Sequence, residues 1–139
     1  MNANKIWKIN KTVLPQHSDH AGVMWHGTYF NWLEEGRIKA LSKAGINYFE
    51  LNKNGYELPL INASIKYIMP LYLGDKITIE SLFHISKSPK IKVNSKFVNE
   101  GKKVLTLAEV NLVLVDKKNF SIIRKRPDFI ANAFLKLNQ

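Results

Sequence analysis

The spacing of apolar residues changes once along the chain, and this change limits the folds that are open to it. Between residues 29 and 44 apolar side chains recur every three or four positions, which predicts one long helix that ends at Gly45. From Leu58 onward apolar and polar residues alternate, which predicts strands. The predicted strands cover 5–14, 58–69, 76–86, 90–98, 103–115 and a short 120–125, with further helices over 47–53 and after Pro127.

The order of these elements predicts an α+β fold. Tight turns between most of the later strands favour antiparallel neighbours, so we expect a five-stranded antiparallel sheet with the long helix on one face. Strand 103–115 is apolar on both faces, which is typical of a central strand. Gly36 is expected to let the helix approach the sheet closely. An open sheet edge favours pairing with a second copy, edge to edge.

The sequence allows two starting positions for the long helix. Asn31 and Glu34 have the spacing of a capping box, which places the first turn after Asn31. A start one turn earlier fits the pattern equally well.

Length and composition predict one domain, 1–139, because 139 residues with 45% hydrophobic content suit a single core. The absence of cysteine excludes disulfides, thiolate metal sites and a cysteine nucleophile. The segment Met1–Lys5 is polar with no apolar run behind it, so no signal peptide is expected. No stretch approaches the roughly 20 apolar residues that a membrane span needs. We therefore expect a cytoplasmic protein.

The strongly basic charge favours a polyanionic partner. The formal net charge is +10 and the sequence pI is about 9.8. Nucleic acid, an anionic membrane and a phosphorylated small ligand all fit this charge. The lysines are spread along the chain, so a lysine-rich composition without functional meaning fits equally well.

The loop before the long helix carries the candidate chemistry. His17, Asp19, His20 and His26 lie within ten residues, just ahead of a helix N-terminus. Acyl transfer needs a group that attacks the carbonyl or activates water, together with hydrogen-bond donors for the oxyanion. Free N–H groups and the helix dipole supply such donors. A metal site at His17, Asp19 and His20 is the alternative, but their spacing is not that of a helical ligand pair, and we predict none.

The run from Asp19 to Arg37 resembles the signature of the 4-hydroxybenzoyl-CoA thioesterase family of hotdog proteins. The matching positions are Asp19, Gly22, Val23, Trp25, His26, Tyr29 and the Glu34-x-x-Arg37 pair on an aromatic-rich helix. The later block 65–70 and the pair 74–75 resemble the next part of that pattern, so that the resemblance covers nearly the whole chain. It implies a five-stranded antiparallel sheet wrapped around one long helix, plus a short C-terminal helix. His17 differs, because the family has an aspartate there.

The resemblance implies an acyl-CoA thioesterase, which is a thioester hydrolase that uses no cofactor. Asp19 falls on the catalytic carboxylate, which either attacks the carbonyl or activates water, and His26 assists. Backbone N–H groups at Trp25 would polarise the carbonyl. His17, Tyr29 and Trp32 would line the substrate pocket, and Glu34 and Arg37 would brace it. The i, i+3 spacing of Glu34 and Arg37 fits a surface ion pair equally well.

The resemblance also implies partners for the chain. The substrate would be acyl-CoA or an acylated carrier protein, held in a tunnel between subunits of a homodimer or homotetramer. The acyl group could be aromatic, such as hydroxybenzoyl or dihydroxynaphthoyl, or a short or medium aliphatic chain. Basic residues would meet the CoA phosphates, namely Lys87, Lys90, Lys92, Arg124, Lys125 and Arg126.

Two other classes of protein remain open from the sequence. The first is an acyl-CoA-binding hotdog protein without catalysis, against which the intact Asp19 argues. The second is a basic nucleic-acid-binding protein, for which lysines 90, 92 and 96 could form a stripe. No recognised nucleic-acid motif is present, so we expect no nucleic-acid partner.

Overall fold

The computed structural model describes residues 5–138. The prediction that there is no signal peptide depends on Met1–Lys5, most of which lies outside the described residues. The elements are, in chain order, β1 (Ile6–Thr12), α1 (His26–Ala44), α2 (Tyr48–Lys53), β2 (Tyr56–Glu57), β3 (Leu60–Tyr67), β4 (Lys76–His84), β5 (Lys90–Asn99), β6 (Val104–Val113), β7 (Val115–Asp116) and α3 (Asp128–Asn138). They confirm one long helix, a short helix after it and a terminal helix.

Five strands form one antiparallel sheet in the order β1-β4-β5-β6-β3. The hairpins β4–β5 and β5–β6 follow the prediction from tight turns. The connection from β3 to β4 does not, because residues 68–75 cross to the far side and β3 pairs with β6 instead. The strand predicted to be central, β6, lies inside the sheet, but β5 is in the middle.

The core lies between one face of the sheet and the two longer helices. The alternating residues Ile77, Ile79, Ser81 and Phe83 of β4 are buried on this face, as their spacing predicts. Helix α3 packs beside α1, and Trp7 of β1 donates its indole N–H to a carbonyl of α3 at 3.0 Å. Within residues 5–138 no helix has the length and apolar character to cross a membrane.

Helix α1 begins at His26, the earlier of the two starts that the sequence allows. Trp25 is extended and its carbonyl accepts a hydrogen bond from the Thr28 amide at 3.0 Å, which forms the first turn. The capping box predicted at Asn31 is therefore wrong, because Asn31 lies inside the helix. At the other end Gly45 has a φ of 108°, a left-handed conformation that stops the helix.

The short strand predicted over 120–125 is wrong. The strand in this region is β7, which pairs with β2 in a separate two-stranded sheet, and Ile122 makes only an isolated bridge to Val115. The Asp116 carboxylate accepts the Lys118 amide at 2.8 Å and holds a turn there. Phe120 then has a φ of 57°, which no strand can accommodate.

Candidate active site

The loop between β1 and α1 is tied to the crossover that follows β3. The Met24 amide donates to the Leu71 carbonyl at 2.7 Å, and the Leu73 amide donates to the Gly22 carbonyl at 3.0 Å. Val13 exchanges two further backbone hydrogen bonds with residues 74–75. These bonds fix the loop against a part of the chain that is distant in sequence.

The Asp19 carboxylate is exposed but held in one orientation. Its Oδ1 atom accepts hydrogen bonds from the Ala21 amide at 2.8 Å and the Val23 amide at 3.2 Å. Its backbone amide donates to the Val23 carbonyl at 2.8 Å. Oδ2 receives no hydrogen bond from residues 5–138. A carboxylate fixed through one oxygen keeps the other available for a substrate or a water molecule.

Asp19 opens on a cleft of about 360 Å³ between the loop, the first turn of α1 and the end of β3. Of the residues predicted for the site, Asp19, Trp25, His26 and Tyr29 line this cleft. The remaining wall was not predicted as part of the site and consists of Val23, Met24, Tyr67, Ile68, Met69 and Pro70. The sequence feature that could have indicated this wall is the block 65–70, in which apolar residues precede a proline.

The amide predicted to bind the oxyanion is already engaged. The Trp25 N–H donates to the His17 carbonyl at 2.8 Å, so it cannot serve a substrate while that bond holds. In the part of the chain that the structure describes, the His26 and Gly27 amides have no acceptor, because the first residues of a helix lack partners. The available donors therefore lie one and two residues later than predicted, at the positive end of α1.

The Trp25 indole covers the first turn of α1. A Cβ atom on Gly27 would collide with the six-membered part of this ring, so the indole rests where residue 27 has no side chain. Half of the Trp25 side chain is exposed, and its ring centroid lies 5.2 Å from that of His26. The two rings thus form one aromatic border of the cleft.

The structure does not bring His17 and Trp32 to the cleft. The His17 Nδ1 atom accepts the Leu14 amide at 3.0 Å, and its ring meets the edge of Trp32 with a centroid distance of 5.3 Å. Trp32 is buried and stacks on Phe97. Neither ring lines the cleft in the single chain, and their place in the substrate pocket stays a prediction.

Tyr29 forms the floor of the cleft. It is buried between Tyr67, with ring centroids 5.0 Å apart, and Phe97, with ring centroids 5.4 Å apart. Burial raises the pKa of the Tyr29 phenol above its ordinary value, because the phenolate would lose its hydration. The phenol therefore stays protonated at neutral pH.

The basic residues predicted for the CoA phosphates lie at the opposite end of the sheet. Lys90 begins β5, and Phe97, near the cleft, is seven residues later, roughly 23 Å at about 3.3 Å per residue. Arg126 donates to the Ser86 and Ser88 carbonyls at 2.8 and 2.7 Å, and burial lowers the pKa of its guanidinium. In a single chain these groups do not meet the cleft, and their contact with CoA stays a prediction.

Residues 5–138 contain no cluster of three or more histidine, aspartate or glutamate side chains that could hold a metal ion. Of the three residues in the alternative metal site, His17, Asp19 and His20, the first two hydrogen-bond to nearby backbone amides.

Comparison with known proteins decides the family. Residues 13–134 match the model of the thioesterase-like superfamily. A Synechocystis protein whose name assigns it provisionally to the esterases is 30% identical over 137 residues, which covers 97% of this chain and 82% of that protein. The chain belongs to the thioesterase-like superfamily. This membership confirms the predicted class of enzyme, a thioester hydrolase.

More distant relatives agree with the fold. A 1,4-dihydroxy-2-naphthoyl-CoA hydrolase of Prochlorococcus marinus is 28% identical over 106 residues, which covers 70% of this chain and 71% of that protein. The crystal structure of a 1,4-dihydroxy-2-naphthoyl-CoA thioesterase from Synechocystis superposes with a TM-score of 0.86 at 18% identity, over 96% of this chain and 98% of that one. The hotdog fold expected from the sequence is thereby confirmed.

Proposed function

We propose that this protein hydrolyses acyl-CoA thioesters and that the Asp19 carboxylate carries the reaction. The observation behind the proposal is that Asp19 shares its cleft with the helix terminus that bears the free amides of His26 and Gly27. The Asp19 carboxylate can attack the thioester carbonyl or activate water, while the His26 and Gly27 amides bind the carbonyl oxygen as it becomes negative. Both requirements of acyl transfer are met by residues of one loop and one helix turn.

Two routes are compatible with this arrangement. In the first, Oδ2 attacks the thioester carbon, the C–S bond breaks and CoA leaves as the thiolate, which yields a mixed anhydride that water then hydrolyses. In the second, the carboxylate removes a proton from water, the water oxygen attacks the same carbon and the C–S bond breaks, so that CoA again leaves as the thiolate. In both routes the oxyanion accepts hydrogen bonds from the His26 and Gly27 amides. The proton released from water neutralises the thiolate, and the imidazole of His26 can carry it there.

For the acyl group, the walls of the cleft favour an aromatic ring. Trp25, Tyr29 and Tyr67 supply three aromatic faces or edges, which suit a planar acyl group. The relatives that are named as 1,4-dihydroxy-2-naphthoyl-CoA hydrolases support the same class. Short and medium aliphatic esters, and esters of acyl carrier protein, belong in the same test.

The test is thiol release from a panel of aromatic and aliphatic acyl-CoA esters. The chain has no cysteine, so a thiol reagent meets no background from the protein. We expect Asp19→Asn and Asp19→Ala each to lose at least about 100-fold in kcat/KM, or about 2.7 kcal/mol. Asp128→Asn is the matched control, because this exposed carboxylate at the start of α3 is remote in the fold from the cleft, and it should keep full activity.

Folded wild type that binds CoA esters but releases no thiol from any of them would refute hydrolysis and leave an acyl-CoA-binding protein. Turnover in ¹⁸O-water tests for the anhydride. Label in the Asp19 peptide establishes it, through water attack on the Asp19 carboxyl carbon, whereas label confined to the released acid arises equally from activated water and from attack on the acyl carbon of the anhydride.

A further inference from the structure

Arg37 is a largely buried cation without a close counter-charge. Its side chain is 13% exposed, and its one ionic partner among residues 5–138 is Glu34, with Nη2 and Oε2 4.0 Å apart. Glu34 is itself 66% exposed, and the Arg37 guanidinium makes no hydrogen bond to the described residues. Buried guanidinium groups ordinarily hold a carboxylate through short, paired hydrogen bonds. Arg37 therefore has unused donors in a place where leaving them unused is costly.

Arg37 lines a pocket of about 260 Å³ with mainly apolar walls. Leu41, Leu58 and Leu112 form part of these walls, and Tyr48 is a further polar residue beside the pocket. The Tyr48 hydroxyl donates to Glu57 Oε2 at 3.0 Å and so does not neutralise the cation. Burial lowers the pKa of Arg37, which agrees with a site that lacks its anion.

A stripe on the surface of α1 connects this pocket with the cleft. His26, Phe30, Glu34 and Arg37 are spaced three or four residues apart, so they share one face of the helix. His26 lines the cleft, and Phe30 and Glu34 are exposed, so the sheet of the same chain leaves this face uncovered between the cleft and Arg37. Arg37 lies 11 positions after His26, which is a rise of roughly 16 Å along the helix. The arginine side chain leans back toward the helix N-terminus, which leaves about 10 Å between its guanidinium and the His26 amide.

We propose that Arg37 binds a carboxylate at the far end of the acyl group, so that among aliphatic esters the preferred substrates are CoA thioesters of dicarboxylic acids. The proposal rests on the proposed thioesterase function and names the substrate class for the same site. With the thioester carbonyl at the His26 amide, an extended acyl chain of about eight carbons reaches the guanidinium. The carboxylate takes two parallel hydrogen bonds from Arg37, and Glu34 turns into solvent, since its contact is long and its side chain exposed.

The test compares suberoyl-CoA with octanoyl-CoA, two esters that differ only in the terminal carboxylate. We expect wild type to prefer suberoyl-CoA by at least about 10-fold in kcat/KM. Arg37→Met should lower kcat/KM for suberoyl-CoA by about 30-fold or more, mainly through KM, and change that for octanoyl-CoA by less than about 3-fold. Arg37→Lys should recover part of the loss. Lys43→Met, which removes an exposed cation from the last turn of the same helix, is the matched control and should leave the preference unchanged.

If wild type prefers octanoyl-CoA, the proposal is overturned by the wild-type measurement alone. The proposal therefore stays testable even if Arg37→Met fails to fold. The proposal is also overturned if Arg37→Met lowers kcat/KM equally for both esters. It is overturned again if light scattering shows that this variant dissociates an oligomer, because Arg37 would then have a structural role. If wild type hydrolyses neither ester, calorimetric binding separates the two proposals. Tighter binding of suberoyl-CoA that depends on Arg37 keeps the carboxylate site and refutes only hydrolysis.

Discussion

Replacement of Gly36 by alanine should stabilise the protein. Gly36 is buried in the middle of α1, where a Cβ atom would lie 3.7 Å from Ile9 Cδ1 and 3.9 Å from Ser81 Oγ. These are ordinary van der Waals distances, so the methyl group fits. Alanine gains about 1 kcal/mol of helix propensity over glycine, and burial of the methyl group adds up to about 0.8 kcal/mol. We therefore expect Gly36→Ala to raise the free energy of unfolding by about 1 to 1.5 kcal/mol.

Urea unfolding followed by circular dichroism measures this change, with the midpoint raised and the slope unchanged. Gly45→Ala is the matched control, because it is the same chemical change at the end of the same helix. Gly45 has a φ of 108° with no atom within 4 Å of an added Cβ, so backbone strain alone should cost about 1 kcal/mol. A loss of stability in Gly36→Ala would refute the reasoning, since α1 would then lie closer to the sheet than the structure has it.

Three further changes test the packing. Lys11→Met should lower stability by about 0.5 kcal/mol at pH 7, because Lys11 hydrogen-bonds to Glu35 at 3.0 Å. Burial raises the pKa of Glu35, but the ammonium groups of its lysine partners lower it by more, so the net pKa lies below its ordinary value. The stabilisation that Lys11 provides should therefore vanish as the pH falls below about 4.5, which urea titrations at a series of pH values measure. Trp7→Phe should cost about 2 kcal/mol, because it removes the buried hydrogen bond to Leu137; a shift below 0.5 kcal/mol would contradict this. Phe49→Ser should leave the Tm within about 1 °C, since Phe49 is 83% exposed.

The periodic elements could be predicted from the sequence because their burial follows a short repeat. The alternation over 76–98 identifies the buried faces of β4 and β5 without any tertiary information. The partner of β3 could not be predicted, because pairing with β6 depends on a crossover whose residues 68–75 carry no regular pattern. The segment 120–125 has the composition of a strand, but the turn held by Asp116 and the left-handed Phe120 override it.

The site was predicted in part for the same reason. Asp19, His26 and Tyr29 belong to one local motif, so their proximity follows from the sequence. The engagement of the Trp25 amide by the His17 carbonyl depends on how the loop folds back, which no spacing reveals. The contribution of residues 67–70 depends on the end of a strand forty residues later in the chain. The sequence assigns Arg37 to α1, but it does not reveal that this arginine lacks a close counter-charge.

The hydrogen bond between Leu73 and Gly22 makes the geometry of Asp19 a product of long-range folding. About 50 residues separate these partners, so the chain must close a large loop, with its entropic cost, before the loop around Asp19 is fixed. A peptide that carries the whole motif from β1 to the end of α1 would therefore lack the site. During refolding, activity should return with the last tertiary contacts and after the helical circular dichroism signal, which makes thiol release a late reporter of the native state.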